Sequence, residues 1–281
     1  NKIGGKREGI SCKFKDSDVA SVVYPSFYEM MLKSGRDAEE IGKYLAETVK
    51  ENRDVSVDIK KTAKEFQEGL FVQMVNGEAN RELLEDAVHE SWEDMAAVAR
   101  CRMQAGNGEE GSFLVTKDNM GIFEMTEGEI MERAYQNTAG QEFTVKSMQD
   151  MVKELFASEG ITEMFFPEEK TPLYVLTNKE KINGANALAC PEVLHDVYGK
   201  FGEPFYILPS SIHEVLLVKE SAGIEPEELR QIVHDVNVTQ VKAEDLLSFE
   251  IFHYDGRKLS AIKEETKNLQ ETAEKGKKMI R

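Results

Sequence analysis

Apolar and polar positions recur along the chain with two periods, and the switches between them mark its elements. β-prone runs at 9–14 (GISCKF) and 19–24 (VASVVY), separated by KDSD, predict a hairpin. Ser26 and Glu29 have the spacing of a capping box, which predicts a helix stopping at Gly35. Asp37 and Glu40 open another, to about Lys50, with Ile41, Tyr44, Leu45 and Val49 on one face. A weaker helical stretch covers about 58–68. LFVQMV (70–75) reads as a strand ending at Asn76-Gly77, and RELLEDAVHE (81–90) as a short helix. WEDMAAVARCRM fits both periods and is assigned to a strand, joined by the loop AGNGEEG (105–111) to SFLVT. Thr126 with Glu129, and Ser147 with Asp150, start two more helices; the second gathers Met148, Met151, Val152, Leu155 and Phe156 on one side.

FFPEEKTP (165–172), with two prolines and three charges, reads as a domain boundary. Beyond it the order is strand (LYVLT, 173–177), helix from Pro191, strands FYIL and HEVLLV, helix from Pro226, and strand SFEIFHY. The predicted fold class is therefore α+β with two domains. Residues 1–166 form an N-terminal α+β domain, and 172–256 a ferredoxin-like split βαβ domain (βαββαβ). A basic amphipathic helical tail, 257–281, follows; its Leu259, Ile262, Thr266, Leu269, Ala273, Gly276 and Ile280 have three-four spacing.

With 41% hydrophobic and 31% charged residues, the 281-residue chain has enough apolar material for a core. No apolar run approaches the roughly 18 residues of a membrane span, so no membrane is expected as partner. The net charge of −17 argues against a general nucleic-acid binder, which needs a basic face. That charge is uneven: residues 257–281 carry eight Lys and Arg against four Glu, leaving −21 on the rest. A basic tail after an acidic body suggests a protein partner engaged through the tail, or the tail held by the body in a salt-sensitive contact. Cys12, Cys101 and Cys190 are widely separated with no CxxC, which suits reduced thiols in a cytoplasmic setting.

FYILPSSIHEVLLV (205–218) concentrates hydroxyls, a histidine and an acid. Pro209, Ser210 and Ser211 interrupt two β runs as a turn would, and on an extended strand His213 and Glu214 face opposite sides. Ser211 and His213 then form at most a bare dyad, and GxSxG is absent. Four of the five histidines precede an acid, yet adjacent residues diverge in direction and HExxH is missing, so no metal is expected, and no cofactor either. TNKEKINGAN (177–186) occupies a strand-to-helix position favoured by phosphate loops but matches neither glycine-rich motif. The candidate ligand-binding residues are Thr177, Asn178, Ser210, Ser211 and His213.

PLYVLTNKEKINGA, FYILPSSIHEVLLV, the helix ending VNVTQV and the strand SFEIFHYD together resemble the domain of unknown function 5688. The likeness extends upstream through YPSFYEMMLKSGRDAEEI and NRELLEDAVHESWEDMA. It implies a bacterial, clostridial-type cytoplasmic setting and supplies no catalytic residue. The expectation is a non-catalytic protein that binds a macromolecule. The alternatives are a hydrolase using Ser211 and His213, or a small-ligand sensor at the 177–186 loop.

Overall fold

The computed structural model describes residues 10–13, 20–23, 30–51, 62–104, 110–158 and 172–263. The expected Ser26 cap, most of the 105–111 loop and the 165–171 boundary segment lie outside these residues, as does the tail from 264. β1 (Ile10–Lys13) and β2 (Ala20–Val23) pair antiparallel as expected. Residues 30–33 are helical, and Gly35 follows in the left-handed region at φ 85°. In α1 (Ala38–Glu51), Asp37 Oδ1 accepts from the Glu39 and Glu40 amides and Ile41 is fully buried.

β3 (Leu70–Asn76), β4 (His89–Trp92), β5 (Met95–Gln104) and β6 (Glu110–Leu114) form an antiparallel sheet, with β5 paired to the other three. α2 (Ala63–Gly69) precedes β3, and α3 (Arg81–Asp86) follows it. The helix expected over 81–90 ends at Asp86 because His89–Trp92 is drawn into the sheet opposite Met95–Val98. Edge strand β3 is shielded rather than bare. Its Val72 amide donates to Thr138 Oγ1 and its Met74 amide to Asn186 Oδ1, both at 3.0 Å. Thr138 belongs to α4 (Glu127–Ala139), which starts at the Thr126–Glu129 capping box.

The second sheet has the order β12-β11-β9-β10-β8-β7. Its strands are β7 (Phe143–Ser147), β8 (Leu173–Asn178), β9 (Phe205–Leu208), β10 (Val215–Lys219), β11 (Phe252–Tyr254) and β12 (Leu259–Ala261). α5 (Met148–Ser158) follows β7, α6 (Pro191–Phe201) joins β8 to β9, and α7 (Pro226–Thr239) joins β10 to β11. Both split βαβ units are present, but the ferredoxin-like strand order is not. That order sets the fourth strand beside the first; here β11 pairs with β9, because β7 already occupies the free edge of β8. Both crossovers now shift the same way across the sheet from strands of opposite sense, so right-handedness sends their helices to opposite faces. α6 buries Leu194 and Val197 in one core and α7 buries Leu229 and Val233 in another.

The larger core lies between the two sheets. It joins Leu70, Val72 and Met74 of β3, Ile130 and Ala134 of α4, and Leu176, Ile207 and Phe252 of the second sheet. β7 precedes the 165–172 segment in sequence, so the second sheet draws strands from both sides of it. The helix expected from 257 does not begin there. Asp255 Oδ1 accepts from the Arg257 and Lys258 amides, Gly256 has φ 94°, and the chain reverses into β12.

Candidate functional site

Thr177 and Asn178 end β8, and Ser210, Ser211 and His213 lie in the link between β9 and β10, with Thr177 and Ser211 both bonded to the His213 backbone. The two strands pair as the expected hairpin, but residues 209–214 are not a free bend. Leu247 N–H donates to Ser210 O, Ser248 N–H to Pro209 O and Ile212 N–H to Asp245 O, at 2.8–3.1 Å. This clamp kinks the chain, so β10 starts only at Val215 and His213 and Glu214 lie outside any extended strand. Their expected opposition across a strand is corrected accordingly.

The two β8 residues hold the following loop. Asn178 donates through Nδ2 to Ile182 O at 2.7 Å and accepts at Oδ1 from Ile182 N–H at 3.1 Å, while Thr177 Oγ1 donates to His213 O at 2.8 Å. The same carbonyl receives Gly184 N–H, and a Cβ on Gly184 would collide with Thr177 Oγ1 and His213 O. Thr177 and Asn178 also line a cavity of about 380 Å³ with Lys146, Lys179 and Lys181.

Among these residues no hydrogen bond joins a serine hydroxyl to the His213 imidazole. Ser211 Oγ accepts from the His213 backbone N–H at 3.0 Å, a local turn bond. The imidazole faces elsewhere: Nδ1 accepts from Asn183 N–H at 3.3 Å and Nε2 lies 3.5 Å from Asp245 Oδ1. An acceptor Nδ1 leaves the proton of a neutral ring on Nε2, toward the aspartate. Asp245 is the carboxylate that sequence reasoning missed; it reaches His213 from 32 positions away, and no local pattern marks it.

A larger concavity, about 680 Å³, opens between α4, β4, β12 and the start of α6. Its floor is apolar, with Met74, Trp92, Leu188 and Leu259, and its walls carry Glu90, Glu132 and Glu192 but, among the described residues, no basic side chain. Trp92 is the only tryptophan of the chain and stacks on Phe252, ring centroids 4.8 Å apart, so one ring ties the cleft floor to the second sheet. Tyr135 donates to Glu90 Oε2 at 2.8 Å; burial first, then this carboxylate, push the phenol pKa up, keeping it a neutral donor. Beneath the α6 start, burial and then Glu192 push the Cys190 thiol up to about 12.

A family model described as "Family of unknown function (DUF5688)" matches residues 1–256. The chain belongs to DUF5688. No curated protein and no solved structure matches this DUF5688 chain. Among its described residues, no group of three or more His, Cys, Asp and Glu is placed to hold a metal ion. No helix among them is long and apolar enough to cross a membrane.

Proposed function

We propose that this DUF5688 chain is a non-catalytic binding protein whose partner is another polypeptide, recognised in the 680 Å³ cleft through a Lys or Arg beside an apolar side chain. One observation carries the reading: an apolar, aromatic floor walled by three glutamates with no compensating cation among the described residues. A basic residue placed there gains carboxylate partners at its head and apolar contact along its stem, and the Trp92 and Tyr135 rings add cation–π attraction. The net charge of −17 steers such a partner inward. The orientation of His213 away from Ser211 favours binding over hydrolysis.

Trp92 supplies the test, since its fluorescence reports on the cleft alone. The protein is titrated with a Lys/Leu peptide and a Glu/Leu peptide of equal length, at low and high salt. The Lys/Leu peptide is expected to shift the emission, with salt weakening the effect, and Glu132→Gln with Glu192→Gln to abolish it. Equal responses to both peptides, or a response that survives the double substitution, would reject the cleft.

A cytosolic setting is part of this proposal, supported by Cys190, a buried free thiol. The tail's share in partner binding is tested on the full chain by replacing Lys275, Lys277 and Lys278 with Gln. A second reading, a small-ligand sensor at the 177–186 loop, is favoured by the three lysines around the 380 Å³ cavity. It predicts a raised melting temperature in inorganic phosphate, lost in Lys181→Gln.

A further inference from the structure

The charge of the tail is itself uneven. Residues 264–274 carry Glu264, Glu265, Glu271 and Glu274 against Lys267, whereas 275–281 (KGKKMIR) carry Lys275, Lys277, Lys278 and Arg281 and no acid. Met279 and Ile280 stand between the lysines and the arginine, so this stretch sets basic side chains beside large apolar ones. That is the combination assigned to the 680 Å³ cleft, whose apolar floor is walled by Glu90, Glu132 and Glu192 with, among the described residues, no cation. A hollow of this size takes a few side chains, not a folded domain.

The segment also starts from the rim of the cleft, since Leu259 of β12 lines it. Lys263, four residues on, is at most about 14 Å from Leu259, at up to roughly 3.6 Å per residue. The twelve steps from Lys263 to Lys275 span about 18 Å if helical and up to about 40 Å if extended, so either conformation covers that distance. A tether of this length gives the segment an effective concentration on the order of 1 mM, against which any free competitor binds. A second groove, about 620 Å³, lies on the other flank of the β4–β5 hairpin, nearer the point where the chain leaves β12. It draws a cation less: Glu93, Asp94, Glu227 and Glu250 line it together with Arg230 and Lys263, which already stand beside Glu227 and Glu93.

We propose that residues 275–281 of the same chain occupy the 680 Å³ cleft and close it to other polypeptides until one displaces them. This rests on the reading of the cleft as a site for a basic residue beside an apolar one, and adds that the resting chain supplies its own occupant. Salt, which screens the carboxylates from the lysines, opens the site.

The test compares the parent full chain with one carrying Lys275→Gln, Lys277→Gln, Lys278→Gln and Arg281→Gln, the folding of each verified by circular dichroism. The probe is a dye-labelled peptide KGKKMIR, capped at both ends and followed by fluorescence anisotropy at low salt. For a peptide of about 0.1 mM affinity, a tethered competitor at on the order of 1 mM weakens apparent binding about tenfold, so the substituted chain is expected to bind about ten times more tightly than the parent. Adding Glu132→Gln and Glu192→Gln is expected to abolish binding to either chain. Without peptide, Trp92 emission is expected to differ between the two chains at low salt and to converge at high salt. Equal affinity of the parent and the substituted chain would overturn the proposal while leaving the cleft reading intact. So would a substituted chain that binds the Lys/Leu peptide but not KGKKMIR. If it binds neither, the cleft reading falls and the proposal with it. A parent that sediments as a dimer and dissociates on substitution would place the segment in a second copy, which also refutes occupation by the same chain.

Discussion

Replacing Gly184 by alanine tests the junction that organises the candidate site. Gly184 opens a 3-10 turn, Gly184–Ala189, pressed between β8 and the 209–214 link. Its added methyl would overlap Thr177 Oγ1 and His213 O and lie 2.8 Å from the Asn178 amide nitrogen. None of these is the far end of a flexible side chain, so the strain has no cheap outlet. Overpacking in such a place costs about 1–3 kcal/mol, and two hydrogen bonds to His213 O, from Thr177 Oγ1 and Gly184 N, would each lose up to about 1 kcal/mol as the backbone gives way. The expected loss is therefore about 1–5 kcal/mol, a large share of a typical total of 5–15 kcal/mol. Gly199 is the matched control: it is exposed in α6 with nothing within 4 Å of its would-be Cβ, so Gly199→Ala should gain about 1 kcal/mol from helix propensity. Urea unfolding of both variants at one pH supplies the numbers. A Gly184→Ala chain within 0.5 kcal/mol of the parent, roughly the noise of a neutral surface change, would refute the tight junction.

Four further outcomes follow from single groups. Asn186→Ala strips the acceptor from the buried Met74 amide and should cost about 1–3 kcal/mol in the same urea experiment. Glu93→Gly relieves the left-handed strain in the β4–β5 turn and should raise the melting temperature, against the usual effect of adding glycine. Burial raises the Asp94 pKa above 3.8, so the folded carboxyl keeps its proton to higher pH than the unfolded one. Its contribution to stability therefore declines as pH rises from 3.8 through the folded value, and Asp94→Asn should gain on the parent over that window, as pH-dependent urea curves would register. Cys190 is buried, with its thiol pushed up to about 12, so it should not react with a thiol reagent at neutral pH until urea is added.

Local signals were legible where the chemistry is local. The spacing of Thr126 and Glu129 announces a capping box, and the structure forms it, with each side chain meeting the other's backbone amide. The split βαβ order was readable from prolines at the starts of α6 and α7 and from the β runs between them. Strand β7 was missed although Phe143, Thr144, Val145 and Lys146 alternate, because so short a run next to a helix cap carries little weight alone. That one strand decides the topology: by taking the edge of β8 it sends β11 to β9. The candidate site was half legible. Thr177 and Ser211 each bond to the His213 backbone, while Asn178 turns to Ile182 and Ser210 to Leu247, and Asp245 arrives from a segment with no pattern of its own.

The larger concavities were invisible in sequence because each is assembled from segments far apart in the chain, and the β4–β5 hairpin explains why they lie together. Its two strands belong to the first sheet, while its turn reaches the second: Trp92 stacks on Phe252, and Asp94 accepts from Ser248 just before β11. A hairpin used as a bracket between two sheets cannot be covered on both flanks by either of them, so a hollow remains on each side. On one flank α4 and the start of α6 supply the walls, with Glu132 from α4 and Glu192 from the first turn of α6, where a helix N-terminus favours negative charge. On the other, α7 supplies Glu227 from its first turn together with Arg230, which anchors the end of β12 at Ile262 O. Both hollows are thus walled by carboxylates; among the described residues only the second also carries cations, Arg230 and Lys263, each already beside a glutamate, and this is why a free basic group is assigned to the first.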